Sequence, residues 1–397
     1  MKIQTGKGTI SLITLIAIWS ISLVVNLPGL AISPLMNDLT TIFPDTSQLE
    51  IQLLTILPNL FIIPFVLLSG RLSISRNKMK IVVVALVIYL VSAILYFFAK
   101  NMIQLIIISS LLGIGCGLVI PLAAGLITDF FVGKYRMKQL GIKSGIANLS
   151  LVFATIAAGI LAKTDWHLPF LVYMIPIIPL LLSIYIKPNT EPLSLQTNTN
   201  SESIHNPRKL WGVIALYGTA TYLVISISYY LPFLAGSYGI SSKAVGIITS
   251  LFFLSIMLPG FFLSQITSRL KNNTIFISMA TIALGLLLIS LGKSDMTFGT
   301  GAIFLGIGYG IIQPLAYDKA AIIGGTNKST LMLSYTLAMN YVAVTIAPFV
   351  IDLVQKIFDS HSERFPFIMN LVICTIFCIV IYLNGNNFAF SFKESQD

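Results

Sequence analysis

Long uncharged runs recur along the chain at nearly even spacing. A window of about 20 apolar residues crosses a bilayer as a helix. Twelve such windows fall near residues 10–32, 51–70, 81–99, 104–127, 144–162, 168–187, 211–233, 245–266, 274–292, 300–323, 331–354 and 366–384. The runs are too long and too continuously apolar for the alternating strands of a membrane barrel, so helices are the reading they permit. The longest polar interruption is KPNTEPLSLQTNTNSESIHNPRK, Lys187 to Lys209. It is poor in aromatics and cannot bury enough surface to fold alone, which makes it a linker. The pattern therefore predicts an all-α integral membrane protein of twelve transmembrane helices. A six-helix bundle is expected over 1–187, a linker over 188–209 and a second six-helix bundle over 210–397.

The two halves echo one another. LGIGCGLVIPLA at Leu112 to Ala123 and LGIGYGIIQPLA at Leu305 to Ala316 match at eight of twelve positions, 193 residues apart. WHLPF at Trp166 to Phe170 is answered by RFPF at Arg364 to Phe367, and Leu27 and Pro28 by Leu231 and Pro232. Direct repeats of this length place two similar bundles side by side, with pseudo-symmetry between them. Within the repeated segment, Gly113 and Gly117, and again Gly306 and Gly310, have the small-xxx-small spacing that lets helices approach closely. Pro121 and Pro314 each remove a backbone hydrogen bond farther along. The glycines can serve close packing alone, or they can let helices 4 and 10 bend during gating.

Charge changes the picture only in orienting it. Charged residues are 10% of the chain and apolar residues 56%, against roughly 25% charged in soluble domains. The net charge of +10 invites a nucleic-acid partner until its placement is considered. With a cytoplasmic N-terminus, 18 of the 24 Lys and Arg, Lys78, Lys80 and Lys143 among them, fall on the cytoplasmic side. That bias follows the positive-inside rule, puts both termini in the cytoplasm and leaves nucleic acid unneeded. The first apolar run is too long for the h-region of a secretory signal and is kept as helix 1. Cys116, Cys374 and Cys378 all lie in expected spans. Cys374 and Cys378 share a helical face, open to a metal or redox pair as well as to packing; no metal centre is expected. GIGCG lacks the strand and acid of a dinucleotide fingerprint, and nothing resembles an ATP-binding phosphate loop.

Between helices 2 and 3 runs GRLSISRNKMK, Gly70 to Lys80. With the doubled six-helix plan, this loop resembles the glycine-led basic motif of the major facilitator superfamily, and the resemblance covers roughly residues 8 to 388. Gly70, Leu72, Lys78 and Lys80 are kept, whereas Ile74 replaces the usual acid and Asn77 a glycine. The stretch from Asn26, Leu27 and Pro28 to Pro34 is similar to helix 1 of the drug:proton antiporter branch. Ser109 stands where that branch usually has arginine, and Ala154 and Thr155 where it has a glycine–proline pair. The resemblance implies a transporter and not an enzyme: a secondary-active exporter of a small amphipathic or cationic compound, working by alternating access in the cell membrane. It implies no cofactor beyond an ion gradient, with protons expected, and a monomer whose partners are the small-molecule substrate and the lipid bilayer. An uptake permease, or a non-transporting receptor of the same fold, stays open.

Polar side chains inside spans are expensive and tend to face a cavity or a partner. The candidates for a substrate cavity are Asn26, Asn59, Asn148, Tyr229, Tyr230, Gln313, Tyr317, Asn340 and Tyr341. Proton coupling needs a carboxyl whose environment changes with conformation, and Asp318 and Glu50 are the candidates; either also suits an interfacial anchor. Asp38, Asp45 and Glu50 cluster about the first external loop, where they would favour cations or simply solvate the loop. Gating is expected to involve Gly70, Lys78, Lys80, Gly113, Gly117, Pro121, Gly306, Gly310 and Pro314.

Overall fold

The computed structural model describes residues 2–6, 8–29, 31, 32, 35, 39, 42–44, 46, 48–75, 77–162, 164–186, 207–360 and 362–384. Pro34, Asp38, Asp45 and most of the expected linker lie outside the described residues. The helices are α1 (Leu12–Ser20), α2 (Gln48–Ser75), α3 (Lys78–Tyr96), α4 (Met102–Phe130), α5 (Gly133–Leu161), α6 (Leu168–Tyr185, mixed 3-10 and α turns), α7 (Pro207–Ser237), α8 (Ser242–Phe261), α9 (Leu263–Leu291, with a 3-10 turn at Lys271–Asn273), α10 (Asp295–Gly325), α11 (Lys328–Ile357) and α12 (Phe365–Asn384). Among the described residues eleven helices are long and apolar enough to cross a membrane, and Leu12–Val24 is a shorter apolar helix. Large apolar side chains such as Ile184 and Leu383 are left exposed, as suits contact with lipid.

Helix 1 differs from its expected 10–32 span. After α1 the chain tightens into a 3-10 turn, Ile21–Val24. It then breaks at Asn26–Gly29, where Pro28 cannot donate to the helix ladder and Gly29 takes φ +75°. Its repeat partner behaves otherwise, since α7 runs through Pro232 to Ser237. A second difference is an antiparallel hairpin, β1 (Lys2–Gln4) with β2 (Thr9–Ser11), ahead of α1. The carbonyl of Thr5 in its turn accepts from the Val132 N–H at 3.0 Å. The α10–α11 boundary is Gly325, at φ 58°, a left-handed conformation that favours glycine.

The chain resolves into two compact units. The first comprises Met1–Arg136, Phe153–Pro207 and Ala320–Ala338; the second comprises Met137–Val152, Arg208–Lys319 and Met339–Asp397. In the first, α4 is the central element. A Cβ on Gly113 would lie 2.5 Å from the Pro58 carbonyl oxygen of α2, and one on Gly115 would lie 2.8 Å from the Tyr89 nitrogen of α3. In the second, α10 has the same place. Gly306 meets the Phe252 carbonyl of α8 at 2.5 Å, and Gly308 meets the Ile282 nitrogen of α9 at 3.1 Å. Tyr89 and Ile282 are 193 residues apart, the register of the sequence repeat, and Pro58 and Phe252 fall within one residue of it, so the duplication extends to individual helix contacts. Both glycine pairs thus pack helices edge to edge.

Each unit has its own clasp. In the first, Tyr96 of α3 stacks on Phe170 of α6 with ring centroids 4.3 Å apart. In the second, Arg364 donates to the Tyr238 hydroxyl at 2.9 Å, the Ser290 carbonyl at 2.6 Å and the Gly292 carbonyl at 2.8 Å. One guanidinium thereby ties together the ends of α7, α9 and α12.

Candidate functional site

Helix α10 carries Tyr309, Gln313 and Tyr317 at every fourth position, which stacks them on one face. Tyr217 and Thr221 are spaced likewise on α7. The two faces meet within the second unit and link through their side chains. The hydroxyls of Tyr217 and Tyr317 are 2.8 Å apart, and those of Tyr309 and Tyr217 are 3.3 Å apart. Thr221 and Tyr309 both donate to the side-chain oxygen of Asn340 on α11, at 3.0 and 3.1 Å. Gln313 donates to Tyr217 at 3.3 Å and accepts from Ser144 of α5. Tyr217, Thr221, Tyr309 and Tyr317 are all buried.

Buried hydroxyls need partners, because an unpaired one loses its hydration without compensation. Tyrosine and threonine hydroxyls both donate and accept, so this cluster can exchange partners without stranding a proton or a lone pair. Gln313 and Asn340 are half-buried at its margin and offer amide donors and acceptors.

The site residues expected from sequence divide around this cluster. Gln313, Tyr317 and Asn340 are in it. Asn148, one turn from Ser144 on α5, is buried and donates to the Ser144 carbonyl at 2.8 Å. Tyr341 is buried beside Asn340 in the chain. Tyr229 and Tyr230 are half-buried farther along α7, and Tyr230 reaches the Pro348 carbonyl at 3.4 Å. Asn26 and Asn59 belong to the first unit; Asn59 spends an amide hydrogen on the Thr55 carbonyl of its own helix at 3.0 Å. Of the carboxyls, Asp318 is 2% exposed in the second unit, whereas Glu50 is half-buried in the first turn of α2 in the first.

The glycine-led loop has a local logic of its own. Asn77, where the motif has glycine, caps α3 by accepting from the Met79 N–H at 2.9 Å. Lys78 donates to both carboxylate oxygens of Asp129, at the end of α4, at 2.7 Å. Ile74, in the place of the usual acid, is exposed. The loop's cation is thus held by an acid from another helix. Lys80 is exposed. Gly70 lies against Ser334 of α11, and Thr128 donates to the Ser329 hydroxyl at 3.2 Å; all four residues are in the first unit. Gly113, Gly117, Pro121, Gly306, Gly310 and Pro314 are buried in α4 and α10.

Lys143 is where sequence reading missed most. Counted as a cytoplasmic cation ahead of a helix starting near 144, it sits ten residues inside α5 and is 2% exposed. Its ammonium lies 4.8 Å from the centroid of the Tyr317 ring. Tyr217, Thr221, Tyr309 and Ser144 were missed as well. The i, i+4 spacing of Tyr309, Gln313 and Tyr317 was the signal that could have found the cluster. Among the described residues no group of three or more His, Cys, Asp or Glu could hold a metal ion. Cys374 donates its thiol to the Met279 carbonyl of α9 at 3.4 Å, a packing contact.

Comparison with known proteins gives the fold a family. The chain is 33% identical over 104 residues to the multidrug transporter protein MdtP of Bacillus subtilis (strain 168), covering 26% of this chain and 19% of that protein. It is 30% identical over 102 residues to multidrug resistance protein 3 of the same organism, covering 25% and 20%. The matched segment thus spans about a fifth of the length of these relatives. Among solved structures, the human organic anion transporter MFSD10 (TETRAN) superposes with TM-score 0.73 at 13% identity, covering 93% of this chain and 97% of that one. The proton:xylose symporter XylE gives TM-score 0.73 at 13% identity, covering 94% and 95%. At such identities the likeness is one of fold. The family model of the Major Facilitator Superfamily matches residues 11–348. With its membrane-spanning helices and its doubled contacts on α4 and α10, the chain is a multi-pass membrane protein and belongs to the Major Facilitator Superfamily.

Proposed function

We propose that this protein is a secondary-active exporter of small amphipathic compounds, working by alternating access and energised by proton exchange. The observation that carries the reading is the buried hydroxyl and amide cluster of α5, α7, α10 and α11. Three tyrosines, a threonine, a serine and two amides sit amid otherwise apolar helices, an expensive arrangement for packing alone. Aromatic faces with polar edges suit a ligand that is mostly apolar and carries a few polar groups. The short stretches shared with two multidrug transporters favour export. In this reading the protein acts as a monomer in the cell membrane with both termini cytoplasmic. The burial of Lys143 beside the cluster weighs against a cationic substrate, which narrows the sequence expectation to the amphipathic class.

For coupling we assign Asp318, buried on α10 next to Tyr317, ahead of Glu50. The test is flux in liposomes of purified protein with an imposed pH gradient, using a panel of fluorescent amphipathic dyes. Antiport is expected, with Asp318→Asn losing more gradient-driven flux than Glu50→Gln. Symport, or no flux with any dye, would overturn the reading. Full activity in both variants would remove the two carboxyls from the mechanism.

A further inference from the structure

The second unit buries an ammonium group that, among the described residues, no carboxylate approaches within ion-pair distance. Lys143 lies about 15 Å along α5 from its first residue, taking 1.5 Å per residue. Gly141, one half-turn earlier, packs against Gly260 of α8, whose Cβ would stand 2.5 Å from the Gly141 carbonyl oxygen. That backbone contact fixes the turn that bears the lysine. Among the described residues Lys143 forms no ion pair, Asp318 included, although Asp318 is buried and adjacent to Tyr317 in the chain. Its ammonium lies over the Tyr317 ring face, 4.8 Å from the centroid. A ring quadrupole attracts a cation but does not neutralise it. A buried charge without an opposite charge is among the least favourable things an interior can hold.

Tyr317 joins the lysine to a linked set of hydrogen-bond donors. Gln313 has its amide hydrogens beside Tyr217, Tyr217 and Tyr317 share a hydroxyl contact, and Ser144 follows Lys143 in the chain. Donors around one cation make an anion site. We propose that Lys143, with Tyr317, Tyr217 and Gln313, binds the carboxylate of an amphipathic substrate whose apolar body lies against the tyrosine rings. A single lysine matches a single negative charge. A phosphate dianion would leave one charge uncompensated in the same interior. This inference rests on the transporter reading above and specifies its substrate class.

The test is binding, read without flux. The full chain, purified in detergent, is heated with 1-naphthaleneacetate or with 1-naphthylmethylammonium, which share a ring system and differ in charge, and then with a graded panel of aromatic carboxylates. Stabilisation by carboxylates and not by the ammonium is expected. Binding should weaken at least about tenfold in Lys143→Gln and persist in Lys143→Arg. Lys143→Met, apolar and of similar length, should unfold at or above the parent temperature, because an unpaired buried charge has been removed. Equal carboxylate binding in Lys143→Gln, preference for the ammonium, or no stabilisation of the parent by any carboxylate would overturn the proposal. So would failure of both the Gln and Met variants to fold, which would make Lys143 structural. Carboxylate binding without gradient-driven flux would sink the exporter reading alone. Proton-driven export of dyes, unchanged in Lys143→Gln, would sink this inference alone.

Discussion

Adding one methyl group at Gly113 should destabilise the protein, and adding one at Gly246 should not. In α4, a Cβ at Gly113 would stand 2.5 Å from the Pro58 carbonyl oxygen, 2.8 Å from its Cα and 3.0 Å from its carbonyl carbon. Ordinary carbon contacts lie at about 3.5 to 4.0 Å, so α2 and α4 would have to part by roughly 1 Å. The obstructing atoms are backbone, which cannot rotate aside as a side chain would. The cost then belongs at the upper end of the range for overpacking, about 3 kcal/mol. Replacing glycine by alanine within a helix returns about 1 kcal/mol on the aqueous scale, leaving a net loss of roughly 2 kcal/mol. At Gly246 of α8 no described residue comes within 4 Å of an added Cβ, so only the helix gain remains, about 1 kcal/mol. Membrane proteins commonly unfold irreversibly, so the comparison is of apparent unfolding temperature in one detergent at one scan rate. Gly113→Ala should unfold several degrees below the parent and Gly246→Ala at or above it. A Gly113→Ala protein as stable as the parent, or an equal fall in both, would refute the claim that α2 and α4 touch backbone to backbone.

Three further outcomes are expected. The Lys78–Asp129 pair, with side chains 20% and 32% exposed, is worth about 0.2–1 kcal/mol after screening; Asp129→Asn should lower the unfolding temperature slightly at low salt, with the difference vanishing near 1 M NaCl, and a salt-independent loss would show that charge is not its role. Tyr217→Phe deletes a hydroxyl shared by Tyr317, Tyr309 and Gln313 and should cost about 1–3 kcal/mol for the partners left unpaired, whereas Tyr382→Phe, 72% exposed, should be neutral in the same thermal assay. In the loop before α6, the Asp165 carboxyl is held below the usual aspartate range, first by the His167 backbone N–H and then by the His167 side chain. A depressed value means that its support is present above the unfolded aspartate pKa, near 4, and is lost as pH falls through the folded value. Asp165→Asn should therefore speed hydrogen exchange at the His167 amide at pH 6, with the difference fading as pH falls through the folded value; an acceleration that does not change with pH would rule out the carboxylate as the acceptor.

The fold was legible because a bilayer imposes a coarse rule. Apolar windows of about 20 residues recur wherever the chain crosses, and the repeat built around Gly113 and Gly306 tied the two halves together in register. The break at Pro28 and Gly29 was visible only as residues. Pro232 occupies the matching place and α7 continues through it, so a proline alone does not decide between kink and end; Gly29, at φ +75° with no glycine counterpart, does. The candidate site was half legible. Gln313, Tyr317 and Asn340 stood out as polar residues in apolar spans, but Tyr217 and Tyr309 read as ordinary aromatics until their hydroxyls were seen to pair. Lys143 was hidden by the rule that revealed the topology. Counting basic residues assigns every lysine near a span's end to the water phase, and the polar face of α5's first turns made its helix seem to start later than it does. A lysine carried ten residues into a helix and closed off by a glycine–glycine contact runs against that rule. Such departures mark the places where an interior does chemistry as well as packing, which is why the buried lysine, and not the expected carboxyls, sets the substrate class proposed for this protein.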